Sequence, residues 1–143
     1  MISNRCIYAL RAMLELSLRH KHGSITIGQI AEAQRIPVRF LEAILRQLKQ
    51  AGLAKSVRGK EGGYFLAREP HEITVGQVIR IFEGPLVAIA KNEDAPTDVP
   101  DVFSSVWRSA EKALSDVYDN TDFGSLADRE VSRAHVQATN FTI

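Results

Sequence analysis

Arg39, Glu42, Ala43 and Arg46 recur at spacings of three, four and seven, so a helix would gather them on one face. A little further on, Arg58 and Lys60 stand in the stretch Ser56-Val57-Arg58-Gly59-Lys60-Glu61-Gly62-Gly63-Tyr64-Phe65-Leu66. Cations so placed can hold phosphate or the edge of a base, and a carboxylate among them restricts which base is accepted. The glycines permit positive φ and close backbone approach without a Cβ penalty. Two short β-prone pieces, residues 53–57 and 64–67, flank this turn and predict a hairpin. Taken alone, residues 39–46 would read as a solvated helix face and Gly62-Gly63 as any hairpin. Their order along the chain favours contact with DNA.

Helices must position these groups. Residues 3–19 carry Ile7, Leu10, Met13 or Leu14 and Leu18 at three or four residue intervals, which predicts a well-buried helix. Thr26-Ile27-Gly28-Gln29 has the form of a capping box and opens a short second helix ending near Gln34-Arg35. Pro37 suits a first helical position, and residues 37–51 bury Leu41, Ile44, Leu45 and Leu48. Two consecutive amphipathic helices followed by a basic hairpin make a winged helix-turn-helix. A second capping box, Thr74-Val75-Gly76-Gln77, begins a helix through about Phe82, which Glu83-Gly84-Pro85 ends.

The C-terminal part differs. Residues 91–100 are polar, acidic and twice interrupted by proline, as in a loop. A long helix is expected over about 101–120, with Val102, Phe103, Val106, Trp107, Ala110, Leu114, Val117 and Tyr118 on a wide apolar face. One more helical turn is expected within 124–130, and residues 131–143, which lack a period, are expected to be a flexible tail. The resulting division is a DNA-binding domain over 1–86, an acidic linker over 87–100, a dimerisation region over 101–130 and the tail. The long helix has more apolar surface than an isolated helix tolerates, so a second copy is the expected cover. Trp107 and Tyr118 could instead line an effector pocket.

Composition bounds the reading. The formal net charge of +1 conceals a basic first half and an acidic second half, which assigns the polyanion contact to the first. No apolar run approaches the ~20 residues of a membrane span, and the chain leads directly into an amphipathic helix, so a cytoplasmic location is expected. The single cysteine, Cys6, excludes an intrachain disulfide framework. Lying near a helix start beside Arg5, it could be a low-pKa thiol sensor, or simply a half-buried small residue. His20 and His22, two residues apart, cannot share a metal on one helical face. Asp94, Asp98 and Asp101 lack the glycine and spacing of a calcium loop. With no nucleophile–base pair, metal spacing or phosphate loop, no enzyme is expected.

The chain resembles the Rrf-type winged-helix transcriptional regulators. The resemblance is carried by Tyr8-Ala9-Leu10-Arg11-Ala12-Met13-Leu14, Ile30-Ala31-Glu32, Phe40-Leu41-Glu42 and Leu48-Lys49-Gln50-Ala51-Gly52-Leu53. It continues through the glycine-rich wing, Ile73-Thr74-Val75-Gly76-Gln77-Val78-Ile79 and Glu83-Gly84-Pro85, densely over residues 1–86 and weakly to Trp107. It implies a homodimer with crossing long helices, usually a repressor on an imperfect palindrome of double-stranded DNA. At matched positions it implies that Arg58 enters the minor groove, that Phe40 replaces the usual tyrosine near the backbone, and that Glu42 faces the major groove. The expected DNA-contacting set is Arg5, Tyr8, Pro37, Val38, Arg39, Phe40, Glu42, Ala43, Arg46, Arg58, Lys60, Gly62, Gly63 and Tyr64.

Two departures matter. Cluster-binding members often carry glutamine where this chain has Ala43. They also hold an iron–sulfur cluster on three cysteines in the loop before the long helix. Here residues 91–101 contain no cysteine, and Asp101 stands about where the last would be. Such clusters need several thiolates, so no cofactor is expected. The signal would then be an unknown small molecule, thiol chemistry or a protein partner. The competing expectation is a winged module that docks a metabolic enzyme through its acidic half or tail.

Overall fold

A computed structural model describes residues 2–60, 62–86 and 102–141. The expected acidic linker and the cysteine-free stretch 91–101 lie outside the described residues.

Helix α1 (Asn4–Leu18) opens where the Ser3 hydroxyl accepts from the Cys6 amide at 3.2 Å. It is the central element, in contact with all four other helices of the core. Its buried face is Cys6, Ala9, Ala12, Met13 and Leu16. That face is rotated from the expected stripe: Ile7 is exposed and Leu10, Leu14 and Leu18 are half-buried. The two alanines explain the rotation, because small side chains let neighbouring helices approach on several sides.

Helix α2 (Ile27–Gln34) begins with the expected reciprocal cap, Gln29 N–H to Thr26 Oγ1 at 3.1 Å and Thr26 N–H to Gln29 Oε1 at 3.0 Å. It ends at Arg35, which adopts the left-handed conformation with φ 53° and ψ 48°. Helix α3 (Val38–Gln50) follows at once. Leu41, Ile44, Leu45 and Leu48 are fully buried there, each burial worth roughly 1.5–3 kcal/mol. Pro37 stands one position before the helix rather than inside it.

Strands β1 (Ala54–Val57) and β2 (Gly63–Leu66) pair antiparallel, Ala54 opposite Leu66 and Val57 opposite Gly63. A bridge from Ile25 to Tyr64 adds a third short rung, closed by backbone bonds of 2.7 and 2.8 Å. Helix α4 (Val75–Glu83) starts with the second expected capping box, on Thr74 and Gln77.

Helix α5 (Phe103–Tyr118) stands off from this body and has no buried residue. Helix α6 (Phe123–Phe141) returns to it, packing on α1 and on the 3₁₀ turn Pro70–Glu72. Phe123 joins the same buried cluster as Met13, Leu41 and Ile73. The first turns of α6, through Ala127, pack with the core formed by residues before 86, whereas α5 stands off from it. Residues 131–141, expected as a tail without a period, are helical, since α6 runs to Phe141. Beyond Ala127 that helix buries little, and residues 131–140 are all exposed, so no hydrophobic period could announce it.

Candidate nucleic-acid interface

The buried stripe of α3 turns Val38, Arg39, Phe40, Glu42, Ala43 and Arg46 to the surface. Phe40, a large aromatic left 41% exposed, is fixed rather than loose. Its ring stacks on Tyr8 of α1 with centroids 5.8 Å apart, and the Arg39 guanidinium lies 4.7 Å above it. Stacking of this kind restrains a side chain that would otherwise lose rotamer freedom on binding. Asn4, Arg5, Tyr8, Arg39, Phe40 and Ala43 line one cleft of about 390 Å³. Five residues expected to touch DNA are thus brought together there; Glu42 and Arg46 lie further along the same exposed face.

Arg5 is braced. Its Nη2 donates to Gln47 Oε1 at 2.9 Å, its guanidinium lies 5.9 Å from the Phe82 ring centre, and Gln47 Nε2 reaches the Ile81 carbonyl at 3.3 Å. The residue so ties α1, α3 and α4 together while its side chain remains exposed. Gln47 was not anticipated, since its partners lie 42 and 34 positions away and leave no local pattern. Lys49 was also missed: its Nζ donates to Ser56 Oγ at 2.6 Å and couples the end of α3 to β1.

In the wing, Arg58 and Lys60 are exposed at the tip, and neither forms a side-chain hydrogen bond or ion pair among the described residues. The expected glycines act differently from the cations. Gly59 takes φ 116° and its carbonyl accepts from Gly62 N–H at 2.9 Å. A Cβ at Gly62 would come within 2.5 Å of the Val57 carbonyl oxygen, and one at Gly63 within 2.2 Å of that of Ile25. Gly62, Gly63 and Tyr64 are half-buried. Gly63 pairs with Val57 in the last rung of the hairpin and Gly62 closes the turn onto Gly59, so these glycines shape the end of the wing on which Arg58 and Lys60 stand.

The expected dimerisation residues line α5. Val102, Phe103, Val106, Trp107 and Val117 are exposed, with Trp107 at 41% and Val102 at 77%, while Ala110, Leu114 and Tyr118 are half-buried. Phe103 and Trp107 stack at 6.2 Å.

Of the two readings of Cys6, the structure agrees with the packed small residue. Its side chain is fully buried, and burial, reinforced by the nearby Glu83 carboxylate, pushes the thiol up to about 11. The neighbouring Arg5 does not counter this, because desolvation of the thiolate dominates at a sealed position.

No helix among the described residues is long and apolar enough to cross a membrane. A short α2–α3 turn, an exposed basic face on α3 and a cationic hairpin beside it define a winged helix-turn-helix transcriptional regulator. The chain belongs to the Rrf2 family, described as iron-dependent transcriptional regulators, which matches residues 2–129. It is 35% identical to the HTH-type transcriptional regulator CymR of Bacillus subtilis over 126 residues, 88% of each chain. It is 33% identical to the HTH-type transcriptional regulator IscR of Aliivibrio salmonicida, over 88% of this chain and 77% of that one. The solved structure of CymR, the global cysteine regulator of B. subtilis, aligns with a TM-score of 0.79 at 33% identity, covering 90% of this chain and 97% of the other. IscR of T. potens aligns with a TM-score of 0.76 at 35% identity, over 92% and 90%.

Proposed function

We propose that this chain is a cytoplasmic, non-enzymatic repressor that binds a pseudo-palindromic operator as a homodimer. Helix α3 enters the major groove, where Arg39 and Arg46 hold phosphate or guanine and Glu42 limits the accepted base. Arg58 and Lys60 reach the adjacent minor groove from the wing tip. Two α5 helices, packed through Phe103, Val106 and Trp107, set the separation of the two heads. Repression follows from occupying the operator, and a signal acts by changing the angle between the heads.

The observation that carries this reading is the division of α3: four fully buried aliphatic side chains on one side, and an exposed face bearing Arg39 and Arg46 on the other. A helix buried on one stripe and fixed to a cationic wing through Lys49 and Ser56 is a rigid reading head.

The family description invokes iron, and an iron–sulfur cluster asks for several thiolates. This chain has one cysteine, sealed in the core. Its residues do not fit such a cluster, and no step of the mechanism passes through one.

Selection of bound fragments from the source genome by the purified protein tests the proposal. Enrichment of a shared inverted repeat, with affinity falling steeply as salt rises, is the expected result. Absence of enrichment together with co-purification of an enzyme would favour the interaction-module alternative.

A further inference from the structure

Between α1 and α6, on a different set of side chains from the DNA-reading cleft, lies an open cavity of about 310 Å³. Its floor is apolar: Leu10 and Leu14 of α1, Val75 at the start of α4, and Phe123 and Leu126 of α6. Phe123 is buried, while Leu10, Leu14, Val75 and Leu126 are only half-covered, so apolar surface is left facing the opening. No serine, threonine, asparagine or glutamine lines this cavity. It therefore offers little to a sugar or a nucleotide, which need hydrogen-bonding partners for their hydroxyls.

The rim is cationic. Arg11, Arg129 and Arg133 border the floor, with Glu130 as the one carboxylate. Arg133 is already occupied, since Glu130 takes both its Nε, at 3.0 Å, and its Nη2. Arg11 and Arg129 have no ion pair or side-chain hydrogen bond among the described residues. Two free guanidiniums at the edge of an apolar trough match one chemistry, an apolar body ending in a single small anion. At roughly 30 Å³ for a water-sized group, the cavity holds about ten non-hydrogen atoms.

We propose that the α1–α6 trough binds a small amphipathic carboxylate, with its apolar body on Leu10, Leu14 and Leu126 and its carboxylate held by Arg11 and Arg129. The site adjoins the reading head. Arg11, Leu14, Glu130 and Arg133 also border a second, polar cavity that extends to Ala33, Gln34 and Arg35. Arg35 is the left-handed residue that sets the turn between α2 and α3. Occupancy of the trough therefore bears on the element that orients α3. This inference supplies a candidate signal for the proposed regulator, but the site itself stands on geometry that does not depend on DNA.

Calorimetric titration of the full-length protein without DNA tests it, using octanoate, octanol and inorganic phosphate as probes. Saturable binding of octanoate is expected, weakened about tenfold or more in the Arg11→Gln/Arg129→Gln double variant. Octanol should bind more weakly, with an affinity the double variant leaves unchanged. These arginines have no partner among the described residues, so their loss should leave the fold intact, and unchanged circular dichroism checks this. Lys112→Ala, on the exposed side of α5, should not alter octanoate binding. The inference is overturned if octanoate does not saturate, if it binds the double variant equally, if octanol binds as tightly, if phosphate alone binds, or if Lys112→Ala abolishes binding. None of these outcomes touches the operator reading, which is measured separately.

Discussion

The guanidinium of Arg80 meets the carboxylate of Asp119 in a bidentate pair, Nη1 to Oδ1 at 2.6 Å and Nη2 to Oδ2 at 2.8 Å. Arg80 Nη2 also reaches Ser115 Oγ at 3.4 Å. Through these bonds α4 anchors the C-terminal end of the projecting α5. The approach depends on Gly76, where an added Cβ would come within 2.0 Å of Asp119 Oδ1.

Gly76→Ala should consequently displace Asp119 without unfolding the domain. Alanine favours the helix by roughly 1 kcal/mol, which offsets much of the local crowding because the struck atom ends a side chain. Denaturant midpoints should move little, while amide exchange over residues 115–119 accelerates. Arg80→Ala should show the same pattern. Asp119 is held below the ordinary carboxylate range, first by its bond from Arg80, so the anchor is complete above about pH 4 and is lost as pH falls through the lowered folded value.

Asp122 should prove a stability residue. Its carboxylate accepts from the Ser125 amide at 2.8 Å and hydroxyl at 2.9 Å, and meets His71 Nδ1 at 3.0 Å. Asp122→Ala should cost about 1–2 kcal/mol in chemical denaturation, as loss of a helix cap does. Burial opposes ionisation of this group, but the Ser125 and His71 contacts outweigh it and lower its pKa. Its contribution is therefore present above the unfolded value, near pH 4, and disappears as pH falls through the folded one. Asp122→Asn, which retains a cap, should lose less.

Cys6 should be inert in the folded protein. With its thiol pushed up to about 11 and fully buried, native protein at pH 8 should resist iodoacetamide, and denatured protein should react completely. Operator affinity should be equal under peroxide and under reductant. Rapid native labelling would show that the α1 amino terminus opens.

The wing separates fold from contact. Gly63→Ala should destabilise the protein by roughly 1–3 kcal/mol, because the Ile25 backbone blocks the methyl group. Arg58→Ala should leave thermal stability unchanged, weaken DNA binding and reduce the salt slope by about 1.

The reading head was legible because its signals are local. Two capping boxes, the period of Leu41, Ile44, Leu45 and Leu48, and the glycines between β-prone pieces lie within short windows. What escaped depends on distant partners. The Tyr8–Phe40 stack and the Arg5–Gln47 bond join residues 32 and 42 positions apart, and the close approach of Gly63 to the Ile25 backbone likewise leaves no local pattern. Sequence left Cys6 open between a reactive thiol beside Arg5 and a small packed residue; the burial that decides between them comes from packing around α1. The turn expected within 124–130 lies in α6, but the extension of that helix to Phe141 was not legible, because residues 131–140 face water and carry no period.

The central claim is that α3 and the wing read two half-sites together. Hydroxyl-radical and groove-specific footprinting on a selected operator, with wild-type protein and Arg58→Ala, tests it most directly. Two equivalent protected half-sites about one helical turn apart are expected, each with major-groove protection flanked by minor-groove protection that Arg58→Ala removes. A single protected half-site, or a minor-groove footprint unchanged in Arg58→Ala, would contradict it.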